Sequence, residues 1–310
     1  MAGQAVASIG ECMLELSGSG DGAWKLNYAG DTFNTLWAIR ALTPPDTATD
    51  YVTAFGDDPF SAGQMSFFKD NGIGSAASPV IPGARPGLYA ITLTGAERSF
   101  TYWRNDAAAR QLADDQDALD KSLQNRALVY FSGITLAILT PESRGRLLLA
   151  IDRARQSGAR IAFDPNYRPR LWPSVQDART AITDALSLVD IALPTFPDEQ
   201  ALFGDSTPDG VAYRLSAAGV KEIVVKDGVD PALVVNGDAS DLVPAVSVNA
   251  VDTTGAGDSF NGGYLAARLA GLEPVEAARQ AHKVAAATVQ VRGALAPFET
   301  LRLAAGLEAS

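Results

Sequence analysis

The chain has 310 residues, 47% of them hydrophobic, and a formal charge of −11. That length supplies one large core, and the acidic balance excludes a general binder of nucleic acid or anionic membrane, which needs a basic face. A single cysteine, Cys12, and a single histidine, His282, leave no internal disulfide and no zinc-type cluster, so a reducing cytoplasm is the expected compartment.

The N-terminal segment lacks a charged leader region and is interrupted by Glu11, and no later run approaches the ~20 apolar residues of a membrane span, so neither secretion nor insertion is expected. Ala5–Gly10 reads as a short buried strand, and Met13–Leu16 and Trp24–Tyr28 as alternating strands on either side of the Gly-Ser cluster SGSGDG. A helix is expected from about Thr32, with Phe33, Leu36, Trp37 and Leu42 on its apolar face and Asp31 placed to cap it. Tyr51–Phe55 is a strand, followed by a loop and helix in GDDPFSAGQMSFFKDNGI. Leu88–Leu93 and Ser99–Trp103 form a hairpin joined by TGAER, whose aromatic residues are by default cross-strand packing.

After the hairpin, strand and helix alternate. Ala127–Ser132, Ala159–Asp164, Ile191–Pro194 and Glu222–Lys226 read as buried strands, and Pro141–Gly158, Val175–Leu188, Glu199–Phe203 and Val211–Ala218 as helices. This rhythm predicts a parallel α/β sheet, with ligands at the C-terminal ends of its strands. DPNYRPRLW, from Asp164, lies at that edge with Arg168 and Arg170, and Lys226 and Gly228 end a strand there too. Leu233–Val235 and Val243–Val248 are expected to pair antiparallel, and Pro274–Val291 to form a last amphipathic helix. No repeat or linker divides 1–310, and the β-rich segments at about 11–28 and 86–104 read as a lid on a single domain.

The richest chemistry lies in VDTTGAGDSFNGGYLAARLAG, Val251–Gly271. Gly255, Ala256 and Gly257 can turn consecutive backbone amides on an anion, and a helix then opens with its positive end toward the same spot. Asp258 follows in the first turn, where an acid either complements the dipole or accepts a proton from an attacking hydroxyl. A dinucleotide fingerprint would need glycine at Phe260, and a Walker loop would need a lysine where none occurs before Lys283.

This stretch resembles, nearly residue for residue, the DTxGAGD signature of the PfkB, or ribokinase-like, carbohydrate kinases. The resemblance implies a three-layer sandwich with a mostly parallel central sheet and a small β-rich lid. It makes Asp258 the catalytic base and Gly255, Ala256 and Gly257 the anion hole for phosphoryl transfer from ATP with Mg²⁺. It also places Gly30, Asp31 and Asn34 on sugar hydroxyls, and Lys226, Gly228, Gly255, Gly257 and His282 around the nucleotide, although a lone helix histidine is by default packing. The family's Asn-x-x-Glu motif, associated with Mg²⁺ and phosphate, appears here as TFPDEQ, with Thr195 for Asn and Asp198 for Glu, leaving Asp198 as the candidate metal contact. A monovalent cation near Asp252 is a further expectation.

GDTFNT, YWRNDAAAR, DPNYRPRLW and DTTGAGDSFNGG together are similar to one branch of that family, the 2-keto-3-deoxygluconate kinases. The branch implies that Tyr89, Tyr102, Arg104 and Arg168 hold a sugar acid, and a carboxylate is costly to bury without a cation. The alternatives are a neutral-sugar kinase of the fructokinase or ribokinase type and a non-catalytic sensor on the same fold. Trp24, Tyr28, Tyr89 and Phe100 in the lid strands lead us to expect a homodimer through lid-to-lid contact.

Overall fold

A computed structural model describes residues 5–18, 22–94 and 97–308; residues 19–21 of the Gly-Ser cluster and 95–96 of the hairpin tip lie outside the described residues. The chain opens with β1 (Val6–Ile9), β2 (Met13–Gly18), β3 (Trp24–Ala29), α1 (Asp31–Leu42), β4 (Thr49–Val52), β5 (Phe55–Gly56), α2 (Pro59–Asp70) and β6 (Val80–Ile81). It continues through β7 (Leu88–Thr94), β8 (Glu97–Trp103), α3 (Gln116–Leu123), β9 (Leu128–Ser132), α4 (Gly133–Ile138), α5 (Pro141–Gln156), β10 (Arg160–Asp164), α6 (Val175–Leu186) and β11 (Ile191–Ala192). The last part comprises α7 (Phe196–Phe203), α8 (Pro208–Ala217), β12 (Glu222–Asp227), β13 (Asp230–Asn236), β14 (Ala239–Val243), α9 (Ala256–Leu269), α10 (Pro274–Thr288) and α11 (Phe298–Ala304).

Among the described residues the main sheet has eight strands, ordered β14-β13-β12-β11-β10-β9-β1-β4. It is parallel from β12 to β4, with β13 and β14 added antiparallel at one edge. Strand alternation explains the three layers. Ala7, Ile9, Val129, Phe131, Ile161, Phe163, Ile223 and Val225 point to one face, where they pack against α3, α5, α6 and α8. Val6, Leu128, Tyr130, Ala162 and Val224 point to the other, against α1, α9 and α10.

Two adjacent glycines let α9 approach both of its neighbours. A Cβ on Gly262 would strike Ala38 and the Thr35 carbonyl in α1, and one on Gly263 would crowd Ala281 and Val284 in α10. This lets the middle of α9 pack closely between α1 and α10.

A smaller sheet, ordered β3-β2-β7-β8, stands over the C-terminal ends of the parallel strands. Its pairing register puts Met13, Ala29, Tyr89, Phe100 and Tyr102 on one face and Trp24, Leu26 and Trp103 on the other. Tyr89 and Phe100, which the sequence grouped with Trp24 as dimer surface, thus lie on the opposite face from it.

Two local expectations are corrected. The partner of β13 is Ala239–Val243 rather than Val243–Val248, and 244–250 carries no regular structure. The reason is that β14 is an edge strand in which only Val243 is buried, so it carries no alternating apolar pattern to read. Asp31 is the first helical residue of α1 rather than its cap; Gly30 takes the cap position, with no side-chain cap bond.

Candidate active site

The C-terminal ends of β1, β9, β10 and β12 share one edge with the N-termini of α1 and α9. Between that edge and the small sheet lies a cleft of about 970 Å³. Gly30, Asp31 and Asn34 line it from α1, Tyr89, Tyr102 and Arg104 from the small sheet, Arg168 from the loop after β10, and Asp258 from α9. Every sugar-side residue singled out from the sequence therefore lines the same cleft as Asp258.

α9 opens on Gly255 at φ 75°, the left-handed region, and a Cβ there would press on Ala294 at 3.0–3.1 Å. Gly257 differs: a Cβ there would meet only Lys226 Nζ, at an ordinary 3.7 Å, so the fold itself does not require this glycine. The Ala256 amide already closes a turn on the Thr253 carbonyl at 3.2 Å.

Asp258 accepts a 2.8 Å hydrogen bond at Oδ2 from Asn34 Nδ2. Thr35 Oγ1 lies 3.1 Å from both the Asp31 and the Asp258 carbonyl oxygens, tying the two helix starts together. Burial, with the negative field of Asp31 added, raises the Asp258 carboxyl from 3.8 to about 7, against the opposing pull of the Asn34 hydrogen bond. That range suits a general base at neutral pH.

Asp31 is held by Asn166, whose Nδ2 donates to Asp31 Oδ2 at 2.8 Å. Asn166 takes a positive φ of 34° and donates its own amide to Asp164 Oδ1 at 3.0 Å, a local turn that Asn tolerates. Beneath it lies a buried polar network: Lys226 Nζ donates to Asp164 Oδ2 at 2.7 Å and to Asn261 Oδ1 at 2.9 Å, and Asn261 Nδ2 lies 2.7 Å from Asp164 Oδ2 and 3.1 Å from the Tyr130 hydroxyl. Lys226 thus braces β10 against α9 while its ammonium sits under the glycine turn.

Of the arginines lining the cleft, Arg104 and Arg168 already face carboxylates. Arg104, 9% exposed, pairs with Glu11, 2% exposed. Arg168, half-exposed, bonds Asp198 at 3.0 Å. Tyr89 donates its hydroxyl to Glu15, while Tyr102 is exposed to the cleft.

The remaining nucleotide-side candidates scatter. Gly228 sits at φ 61° in the exposed β12–β13 turn. His282 packs edge-on to Phe260 and lies 3.2 Å from the Val243 carbonyl, and burial holds its imidazole below the ordinary range. Among the described residues, no group of three or more His, Cys, Asp or Glu side chains is arranged to hold a metal. Asp198 has its carboxyl raised by burial against the pull of Arg168, with the negative field of Asp164 added.

The family model for pfkB family carbohydrate kinases matches residues 4–301. The chain belongs to the pfkB family. Within it, the chain is 42% identical over 304 residues to the 2-dehydro-3-deoxygluconokinase of Dickeya dadantii, covering 96% of this chain and 98% of that one. The fold is shared with a 2-dehydro-3-deoxygluconokinase from Thermotoga maritima, TM-score 0.84 and 20% identity over 98% of this chain and 99% of that one. It is shared also with a ribokinase II from E. coli in complex with ATP and Mg²⁺, TM-score 0.83 and 23% identity over 97% and 98%.

Four residues that build the cleft of this pfkB kinase were not singled out from the sequence: Glu11, Asn166, Asp164 and Asn261. Each acts through a partner 62 to 135 residues away. Asp164 and Asn166 left a local trace, in the Pro-rigidified turn DPNYRP, and Glu11 only as a charge interrupting an apolar segment.

Proposed function

We propose that this pfkB kinase transfers the γ-phosphoryl group of ATP to the 6-hydroxyl of 2-keto-3-deoxygluconate, giving the 6-phosphate and ADP. The observation that carries this reading is the placement of Asp258, Arg104 and Arg168 around one cleft, in a chain 42% identical over its length to a kinase of that sugar acid. The sugar sits between the N-terminus of α1 and the small sheet, which acts as a lid. Asp31 and Asn34 meet its hydroxyls, the tyrosines cover it, and the arginines hold its carboxylate end. Asp258 accepts the O6 proton as the O6–phosphorus bond forms and the bond to the ADP oxygen breaks.

Mg²⁺·ATP supplies the phosphoryl group and neutralises charge on the leaving phosphates. The residues present fit it: the α9 N-terminus offers oriented amides and a dipole, Gly257 leaves backbone open where the fold does not need it, and Lys226 places a cation beneath. Asp198 would be the acid that meets a metal-bound water, once released from Arg168. Asp252, whose carboxylate joins Thr254 to Gly293, marks the expected monovalent-cation loop, and K⁺ dependence of kcat tests that part.

The second reading is a neutral-sugar kinase, favoured by the internal carboxylate partners that both arginines already possess. ³¹P NMR of the product decides between them. A phosphate ester on C6 of the keto-acid supports the assignment, and no turnover of the keto-acid alongside phosphorylated fructose removes it.

The outward lid face exposes Trp24 at 50% and Trp103 at 56%, which supports a homodimer packed lid to lid. Among the described residues no helix is long and apolar enough to cross a membrane. With the lone, buried Cys12, this supports action in the cytoplasm.

A further inference from the structure

Glu11 follows β1 and lines the cleft, yet its carboxylate faces a cation of the protein itself. Its Oε2 pairs with Arg104 NH2. The pairing is incomplete: Glu11 Oε1 and Arg104 Nε are both buried without a hydrogen-bond partner among the described residues. The pocket for this carboxylate is shaped by Gly87, where a Cβ would strike Glu11 Oε1 and stand 3.2 Å from Arg104 Cβ.

A buried pair of this kind is neutral as a unit. Adding a sugar carboxylate beside Arg104 puts a second anion on one buried cation, and uncompensated buried charge is strongly disfavoured. The other charged or titratable groups facing Glu11 are Arg110 from the turn after the lid and Asp31 from α1, with the Cys12 thiol and the Tyr51 hydroxyl close by; Asp31 adds negative field of its own. The economical resolution is loss of the negative charge on Glu11.

We propose that Glu11 is a positioning residue acting through Arg104: it holds the guanidinium in the empty cleft, is displaced from it by the substrate carboxylate, and takes up one proton from solvent as it yields. The proton joins a Glu11 oxygen, no other bond changes, and the neutral carboxyl then donates where the carboxylate accepted. Burial already raises the Glu11 carboxyl in the empty site, consistent with a group poised to accept a proton. This inference rests on the sugar-acid reading above.

The test is isothermal titration of 2-keto-3-deoxygluconate into the Asp258→Asn protein, which removes the titration of Asp258 and blocks turnover, with and without Glu11→Gln. Buffers of different ionisation enthalpy report protons taken up per ligand across pH 6 to 8. With Glu11 present, the expected result is uptake approaching one proton in some part of that range, and an association constant falling there by up to tenfold per pH unit. With Glu11→Gln, uptake vanishes, affinity is flat with pH, and at pH 8 it exceeds that of the Glu11 protein. Fructose, a neutral ketose, should bring no uptake with it. Asp198→Asn, which removes the carboxylate paired with Arg168, should leave the keto-acid uptake intact, so that loss of uptake in that variant overturns the proposal even if Glu11→Gln fails to fold. Keto-acid binding without proton uptake, or equal uptake with and without Glu11, overturns the proposal while leaving the sugar-acid reading standing. Weaker binding in Glu11→Gln at every pH also overturns it, by reducing Glu11 to a structural brace. Failure of the keto-acid to bind at all overturns both.

Discussion

Asn34 Nδ2 donates to Asp258 Oδ2 at 2.8 Å, joining the first turns of α1 and α9 across 224 residues of sequence. The bond orients the carboxylate and leaves Oδ1 as the oxygen without that donor. Asp258→Asn keeps the shape and removes the base, so kcat is expected to fall by about 10² to 10⁴ with sugar affinity changed little. Near-normal turnover in that variant would exclude Asp258 as the base.

The elevated carboxyl of Asp258 gives a pH dependence of definite sign. Protonated Asp258 cannot accept the hydroxyl proton, so kcat/KM should rise with pH through about 7 and level off above it. The Asn34 hydrogen bond favours the ionised form, so Asn34→Ala should move that midpoint upward. A profile that is flat from pH 5.5 to 8.5 would contradict both statements.

Stability carries the same signature in reverse. Because the folded-state value lies above the unfolded one, the contribution of Asp258 to stability is fully present below the unfolded value of 3.8 and is lost as pH rises through about 7. Asp258→Asn escapes that loss. Its melting temperature should exceed that of the parent at pH 8, and the gap should close as pH falls toward 5.

The two glycines of the turn should separate in mutagenesis. Gly255→Ala meets a positive φ and Ala294, which predicts destabilisation of about 1 to 3 kcal/mol. Gly257→Ala has helical backbone and room, so it should melt close to the parent while KM for ATP rises at least tenfold. Thermal melts and ATP titrations on the two variants check this.

The arginines should also differ. Each truncation is expected to raise KM for the sugar acid by roughly one to two decades, the range of a charge-assisted hydrogen bond, and to change KM for ATP much less. Arg104→Ala additionally strands a buried Glu11, with a cost of about 3 to 5 kcal/mol, whereas the half-exposed Arg168–Asp198 pair contributes about 0 to 1 kcal/mol. Equal melting temperatures for the two variants would show that the Glu11–Arg104 pair does not stabilise the fold.

What the sequence made legible was local. Apolar runs such as LVYFS and RIAFD read as buried parallel strands because both faces of the sheet are covered, and GAGD read as a glycine turn opening a helix because backbone freedom is written in the residue type. Glu11 appeared only as an interruption of an apolar segment, since its partner Arg104 lies 93 residues away. Asn261 fell within a helical pattern, and nothing nearby marks its contact with Lys226 and Asp164. β14 escaped notice because an exposed edge strand shows no burial pattern, while the β-rich run after it forms no strand. Long-range polar pairing is the part that periodicity does not encode.

The most direct measurement is kcat/KM by ADP release on a small panel: 2-keto-3-deoxygluconate, its galactonate epimer, fructose and ribose, each with Mg²⁺·ATP. The account predicts turnover of both keto-acids, which share the carboxylate end, and at least tenfold lower kcat/KM for the neutral sugars. Robust activity on fructose with none on the keto-acids would contradict it, even with Asp258 essential.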